Sequence, residues 1–136
     1  MRCKRITAVL CTGVLLFLAA CGTQSVSDKK VQDIDYTVVT DADVPDTLRN
    51  AIEEKKEEPF KLSYSDGAEL YIVIGYGKQP SGGFSIVVDD LYLTESNILF
   101  ATTLKGPEKE AESAEAPTYP YLIVKMEYMD KEILYK

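Results

Sequence analysis

The sequence predicts a mainly β domain of the α+β kind, a small antiparallel sheet or sandwich of about six or seven strands with one N-terminal helix. Short runs of β-branched and aromatic residues recur along the chain with turn residues between most of them, and one stretch has apolar residues at helical spacing. The short connections favour antiparallel pairing. The predicted strands are residues 36–40, 60–64, 70–76, 84–89, 98–104, 121–128 and 133–135.

Two of the predicted strands are apolar on both faces. In residues 70–76 (LYIVIGY), apolar side chains occupy the odd and the even positions alike, and the same holds for the first half of residues 121–128 (YLIVKMEY). A strand of this kind must be covered on both sides, so both are predicted to be central strands of the sheet.

The helical segment lies between the first two strands. We expect Asp41 or Asp43 to cap it, Pro45 to occupy its first turn, and Pro59 to end it. Its apolar stripe consists of Val44, Leu48, Ala51 and Ile52.

Composition limits the chemistry that the chain can carry out. Its 136 residues, 46% of them hydrophobic, suffice for one small domain with its own core. Histidine is absent, and Cys3, Cys11 and Cys21 all lie in the first 21 residues. The rest of the chain therefore lacks the residues for a zinc site, a Ser-His-Asp triad or a Cys-His dyad. We expect a protein that is not an enzyme and that binds no cofactor or metal.

Residues 1–21 have the pattern of a lipoprotein signal peptide. Basic residues at positions 2, 4 and 5 precede an apolar segment, residues 6–20, that is shorter than the ~20 residues of a membrane-spanning helix. Residues 18–21 (LAAC) resemble the bacterial lipobox. That resemblance implies acylation of Cys21, with palmitate or similar chains, and an extracytoplasmic protein anchored to the bacterial membrane, at the cell surface, by lipid at Cys21.

The remainder of the chain divides into a tether and a domain. Residues 22–35 (GTQSVSDKKVQDID) are polar and lack aromatics, which predicts a flexible tether, and residues 36–136 are predicted to form a single domain. Residues 106–118 (GPEKEAESAEAPT) contain four glutamates and no large apolar side chain, which favours a mobile acidic loop.

The charge of the chain excludes one class of partner. After removal of residues 1–20, 12 basic and 22 acidic residues remain, a formal net charge of −10. Such a surface repels nucleic acid and anionic headgroups, so membrane attachment would have to come from the lipid.

The stretch GYGKQPSGGFSI, residues 75–86, is the most distinctive local pattern. A phosphate-binding loop would lead from its glycines into a helix, but the FSIVVDD that follows has the pattern of a strand. A tight hairpin would account for every residue, because Pro80 suits a turn and Gly82 or Gly83 can adopt a positive φ. Glycine and proline beside an aromatic residue also suit a surface that recognises a partner.

A family resemblance favours the recognition surface. Residues 77–86 and 118–125 resemble two motifs, G-x-x-P-[ST]-G-G-[YF]-S-I and [ST]-Y-P-Y-x-x-V-K, that recur together in the PrcB-like family of protease-complex accessory lipoproteins. The similarity runs from about residue 44 to residue 136, with Phe84 where tyrosine is more frequent. It implies a non-catalytic protein that binds and stabilises an exported protease or another surface protein.

Two groups of residues form the predicted partner-binding surface, because aromatic residues with glycine and proline lose little side-chain entropy on binding. Each of Phe84 and Tyr121 could instead be a core residue. The first group, here called the corner, is Gln79, Pro80, Ser81, Gly82, Gly83 and Phe84; the second, the tyrosine segment, is Tyr119, Pro120 and Tyr121.

Two other functions are compatible with the sequence. Residues 80–84 are similar to the N-P-T-T-G-[YF] loop of chagasin-type inhibitors of cysteine proteases, with Gln79 in the place of the asparagine. The chain has no tryptophan, whereas a later loop of that family contains one. The third possibility is a surface-binding module whose ligand the sequence does not disclose.

Overall fold

The computed structural model describes residues 29–108 and 116–136. The predicted signal peptide with Cys21, the first part of the predicted tether, and residues 109–115 of the predicted acidic loop lie outside the described residues. In the described ranges, no helix is both long and apolar enough to cross a membrane.

The mainly β prediction is confirmed. Each of the seven predicted strands is present within a few residues of its expected bounds, together with the helix and one further strand. A short 3-10 turn, Asp41–Asp43, precedes the helix. The elements are β1 (Gln32–Asp33), β2 (Tyr36–Val39), α1 (Asp46–Lys55), β3 (Pro59–Ser65), β4 (Glu69–Tyr76), β5 (Ser85–Leu93), β6 (Asn97–Lys105), β7 (Tyr121–Glu127) and β8 (Glu132–Tyr135).

The strands form two four-stranded sheets. Sheet I has the order β1-β5-β6-β8, and sheet II has the order β2-β7-β4-β3. Neighbours are antiparallel, as the short connections favour, except β6 and β8, which are parallel. The chain crosses from β7 in sheet II to β8 in sheet I. Because this connection is not a hairpin within one sheet, it does not force β8 to run antiparallel to its neighbour β6.

β4 and β7 lie at the centre of sheet II, as their two apolar faces predict. One face packs against sheet I and contributes to a buried core between the sheets that includes Ile72, Val124 and Phe100. The opposite face is covered by α1, so the molecule has three layers: helix, sheet II and sheet I. The buried residues of the helix-side core are Val44, Leu48, Ile52, Tyr71, Val73 and Ile123.

The predicted helix cap is wrong. α1 begins at Asp46 after Pro45, and no side chain caps its N-terminus. The two candidate aspartates have other partners, since Asp41 accepts a hydrogen bond from Tyr121 and Asp43 accepts one from the Thr40 hydroxyl. The apolar stripe is placed as predicted, with Leu48 and Ile52 each 1% exposed.

The folded part begins earlier than residue 36. β1, in the predicted tether, pairs with β5, where Gln32 lies opposite Leu93. Ile34 then enters the core between the sheets, and the chain passes from sheet I into β2 of sheet II. The tether prediction is therefore wrong at its C-terminal end, because one buried isoleucine and a two-residue strand are enough to fix a polar segment to the sandwich.

Candidate partner-binding site

The corner connects the two sheets. It leaves β4 in sheet II and enters β5 in sheet I, and these two strands are not neighbours in either sheet. The hairpin interpretation is therefore wrong, although the turn residues are placed as that interpretation requires. A chain that changes sheets needs a sharp bend but no strand pairing, and the same proline and glycines serve either purpose.

Hydrogen bonds join the corner to Thr118, the residue just before the tyrosine segment. Gln79 and Thr118 exchange two backbone bonds, with N–O distances of 2.8 and 3.0 Å. The Thr118 hydroxyl also donates to the Ser81 carbonyl at 2.7 Å, and the Tyr76 amide donates to the Pro120 carbonyl at 3.1 Å. The two groups of predicted site residues therefore lie side by side, although about forty residues of chain separate them.

Gly83 has a structural reason to be glycine. Its φ is 85°, in the left-handed region, and a Cβ added there would lie 2.7 Å from the Cβ of Pro107. The neighbouring Phe84 is half-buried, with its ring close to Gly106. The far side of the corner is thus packed against the residues that follow β6. Pro80 and Gly83 are the most exposed residues of the corner.

The two tyrosines of the tyrosine segment have different surroundings. The hydroxyl of Tyr121 donates to the carboxylate of Asp41, with both oxygens at 2.5 Å, while its ring packs against the helix-side core. Burial, followed by the hydrogen bond and charge of Asp41, raises the pKa of Tyr121 well above its usual range. The group is therefore neutral at ordinary pH and is bound within the molecule.

Tyr119 has a looser environment. It is half-buried, and the ammonium nitrogen of Lys56 lies 5.9 Å from its ring centroid, within the range of a cation–π contact. The backbone amide of Lys78, just before the corner, donates to the carbonyl of Glu57 at 3.2 Å. Unlike the Tyr121 hydroxyl, the Tyr119 hydroxyl makes no hydrogen bond among the described residues.

The region around α1 therefore braces the site. Asp41 holds Tyr121, Lys56 lies over Tyr119, and Glu57 binds the backbone before the corner. Sequence reasoning missed these contacts, as well as Pro107. Asp41 and Tyr121 are 80 residues apart, and no local pattern connects an aspartate in a turn with a tyrosine at the start of a distant strand.

An open groove of about 490 Å³ lies away from this site, between β3 and the residues around Met129 and Ile133. Among residues 29–108 and 116–136, no group of three or more His, Cys, Asp or Glu side chains is arranged to hold a metal ion. The arrangement offers backbone groups, proline and aromatic rings on a braced surface, which suits contact with another protein.

The fold and the site define a small two-sheet β protein whose sheet-connecting loop is hydrogen-bonded beside a tyrosine-containing segment. Residues 70–127 match the family model described as PrcB C-terminal. The match runs from β4 to the end of β7 and contains both groups of site residues, which confirms the PrcB-like resemblance over this part of the chain. The bracing residues Asp41, Lys56 and Glu57 precede it. Comparisons with curated proteins and with solved structures gave no match.

Proposed function

We propose that this protein is a non-catalytic accessory protein that binds an exported protease through the corner and the tyrosine segment and stabilises it. The observation that carries the proposal is the PrcB C-terminal match over residues 70–127. It coincides with the region where the two motifs lie in direct hydrogen-bond contact. This family suggests a protease-associated accessory role. Binding and stabilisation of the protease is the more specific function proposed here.

The geometry supports binding by a preformed surface. The corner is restrained by Thr118 and Pro107, and the tyrosine segment is restrained by Asp41. Little backbone or side-chain freedom is therefore lost when a partner docks, and this loss is one of the main costs of association. Pro80 and Gly83 are the most exposed residues of the corner, so they are the proposed first points of contact.

We further propose that the protein acts on the outer side of the bacterial membrane, held by lipid at Cys21. The support is the basic start, the short apolar segment and the LAAC sequence before Gly22. A Cys21→Ser variant should leave the membrane fraction or accumulate as uncut precursor. A Ser variant that fractionates and migrates like the wild type would overturn the anchor.

The function is tested by isolating the full chain from its native membrane in detergent and assaying any protease that copurifies. Adding the pure chain back should raise the melting temperature of the protease in proportion to occupancy, because a ligand that binds only the folded form stabilises it. Its activity should be retained. Dose-dependent loss of protease activity would show that the protein is an inhibitor of the protease instead. Absence of any copurifying protease would overturn both functions.

A matched pair of variants locates the contact. Pro80 and Ala68 are both exposed turn residues, Pro80 in the corner and Ala68 between β3 and β4. Pro80→Asp should weaken protease binding at least about tenfold, or about 1.4 kcal/mol, whereas Ala68→Asp should leave it unchanged. Equal effects of the two substitutions would remove the corner from the proposed interface.

A further inference from the structure

The edge strands of the two sheets are not equally protected. A sheet edge presents unpaired backbone groups, and proteins usually guard it with charge, proline or a bulge. Among residues 29–108 and 116–136, β2 (YTVV) is an edge strand of sheet II, and its four residues have none of these features. The other edges have such protection. β3 carries Pro59 and Lys61, while β1 and β8 carry Asp33 and Glu132. Where β5 extends beyond the end of β1, it has a bulge with Asp89 and Asp90.

β2 also carries exposed apolar side chains. Tyr36 is 40% exposed and Val38 is 53% exposed. They pair with Met126 and Val124, which are buried in the core between the sheets, so all four side chains lie on the same face of sheet II. β1 has only two residues and does not extend sheet I far enough to cover Tyr36 and Val38.

We infer that the outer edge of β2 binds an extended segment of a partner protein, which adds a fifth strand to sheet II. The backbone groups of β2 would supply the hydrogen bonds, and Tyr36 and Val38 would contact the apolar side chains at alternate positions of the incoming strand. This surface is distinct from the corner, and the inference holds or fails without the protease.

Charge determines which segment fits. Asp33 and Asp35 precede β2, and Asp41 and Asp43 follow it. Lys30 pairs with Asp33 at 2.9 Å, and Asp41 is occupied by Tyr121, so Asp35 and Asp43 are the carboxylates best placed to meet a ligand. Arg49 binds the carbonyls of Asp41 and Val44 on the turn after β2, and its charge is paired with Asp46 at 2.5 Å. Asp35 and Asp43 therefore leave an acidic group at each end of the edge, and these groups select Lys or Arg on both sides of an apolar centre.

The same charges disfavour a second copy of this chain as the occupant. In an antiparallel pair of β2 strands, the aspartates before one strand would face the aspartates after the other, and like charges in register destabilise pairing. Lys125, opposite Thr37 on β7, is the basic residue next to the middle of β2, and it does not offset the acidic ends. The structure therefore favours a basic-flanked segment of another protein.

The test uses the full chain in detergent micelles and three synthetic peptides, KKTVTVTKK, EETVTVTEE and KKTVPVTKK. The first peptide should bind with an affinity that falls as salt rises. The acidic peptide, and the peptide whose central proline cannot donate to a sheet, should bind at least tenfold more weakly. NMR shifts of backbone amides should centre on residues 36–39. Shifts centred elsewhere, equal binding of all three peptides, or no binding would overturn the inference.

Variants of the chain separate recognition from folding. Val38→Lys places a charge on the edge and should abolish peptide binding, while Val87→Lys, at an apolar residue 37% exposed on β5, should not. The double variant Asp35→Lys/Asp43→Lys should reverse the preference, so that EETVTVTEE binds better than KKTVTVTKK. Its control is Glu54→Lys/Glu58→Lys, the same charge change on exposed residues near the end of α1. An unreversed preference, or reversal by the control as well, would overturn the role of the acidic ends.

Discussion

The turn between β3 and β4 and the corner between β4 and β5 both contain a glycine with positive φ, yet they are held in different ways. In the first, the carboxylate of Asp66 accepts from the amides of Ala68 and Glu69 at 3.0 and 2.8 Å, and the Gly67 amide donates to the Ser65 hydroxyl. These bonds all join near neighbours in the sequence. The corner is held by Thr118 and Pro107, which lie far along the chain.

The difference shows how a local turn and a site can share the same residue types. Gly67 has open space where a Cβ would lie, so only its backbone conformation requires glycine. At Gly83 the conformation and the contact with Pro107 both require it. The first turn joins two strands, whereas the second fixes the relative position of two distant segments that together form a surface.

The largest expected effect is a comparison of alanine at the two glycines. Gly83→Ala should cost about 2–4 kcal/mol, from backbone strain together with overpacking against Pro107. Gly67→Ala should cost about 1–2 kcal/mol, from the left-handed backbone alone. Denaturant unfolding measures both, and equal losses would show that packing of the corner against Pro107 contributes nothing to stability.

The second prediction concerns the bond that braces the tyrosine segment. Tyr121→Phe should cost about 1–2 kcal/mol, because the Asp41 carboxylate loses the hydroxyl that it binds. Tyr64→Phe is the matched control, since Tyr64 is also half-buried beside the helix-side core and no hydrogen bond involves its hydroxyl among the described residues. Comparable losses for the two variants would contradict a bracing role for Asp41.

Burial of Tyr121, together with its bond to Asp41, predicts a dependence on alkaline pH. Folding raises the pKa of Tyr121, so its contribution to stability is complete below the ordinary tyrosine value of about 10 and is lost as pH rises through the folded value. The wild type should therefore lose more stability than Tyr121→Phe above about pH 10. Burial also raises the pKa of Tyr135, but that residue is present in both proteins and cancels in the difference.

The smallest expected effect is in the local turn. Hydrogen bonds from the backbone of Glu69 and then Ala68 lower the pKa of Asp66. Its contribution is therefore present above the ordinary aspartate value of about 4 and is lost as pH falls through the folded value. The stability advantage of the wild type over Asp66→Asn should shrink as pH falls below about 4, as measured by thermal unfolding. A constant advantage would show that the charge of Asp66 is irrelevant to the turn.

The strands were predictable because each has a local signature of alternating or continuous apolar residues. The central position of β4 and β7 followed from the apolar character of both their faces. β1 had no such signature, because Gln32 and Asp33 are polar and the strand depends on the neighbouring Ile34 for its anchorage. The parallel direction of β8 depends on the route of residues 128–131 across the sandwich, which propensity does not encode.

The sequence predicted the residues of the site itself but not the residues that hold them in place. The two motifs placed the corner and the tyrosine segment in one surface, and the Gln79–Thr118 bridge brings them together. The residues that hold this surface, Asp41, Lys56 and Pro107, have no motif. They act through long-range contacts, so a single sequence contains no pattern that could reveal them.

The order of sheet II, with β7 between β2 and β4, has a consequence for how the chain reaches its folded state. β4 pairs with β3 through a short turn, but its other edge stays open until β7, separated from it by residues 77–120, arrives. During that interval a strand that is apolar on both faces is available to any other chain. β2 cannot pair before β7 either. Folding should therefore be slow for a domain of this size, with aggregation as its main competing reaction until β7, near the C-terminal end of the chain, is in place.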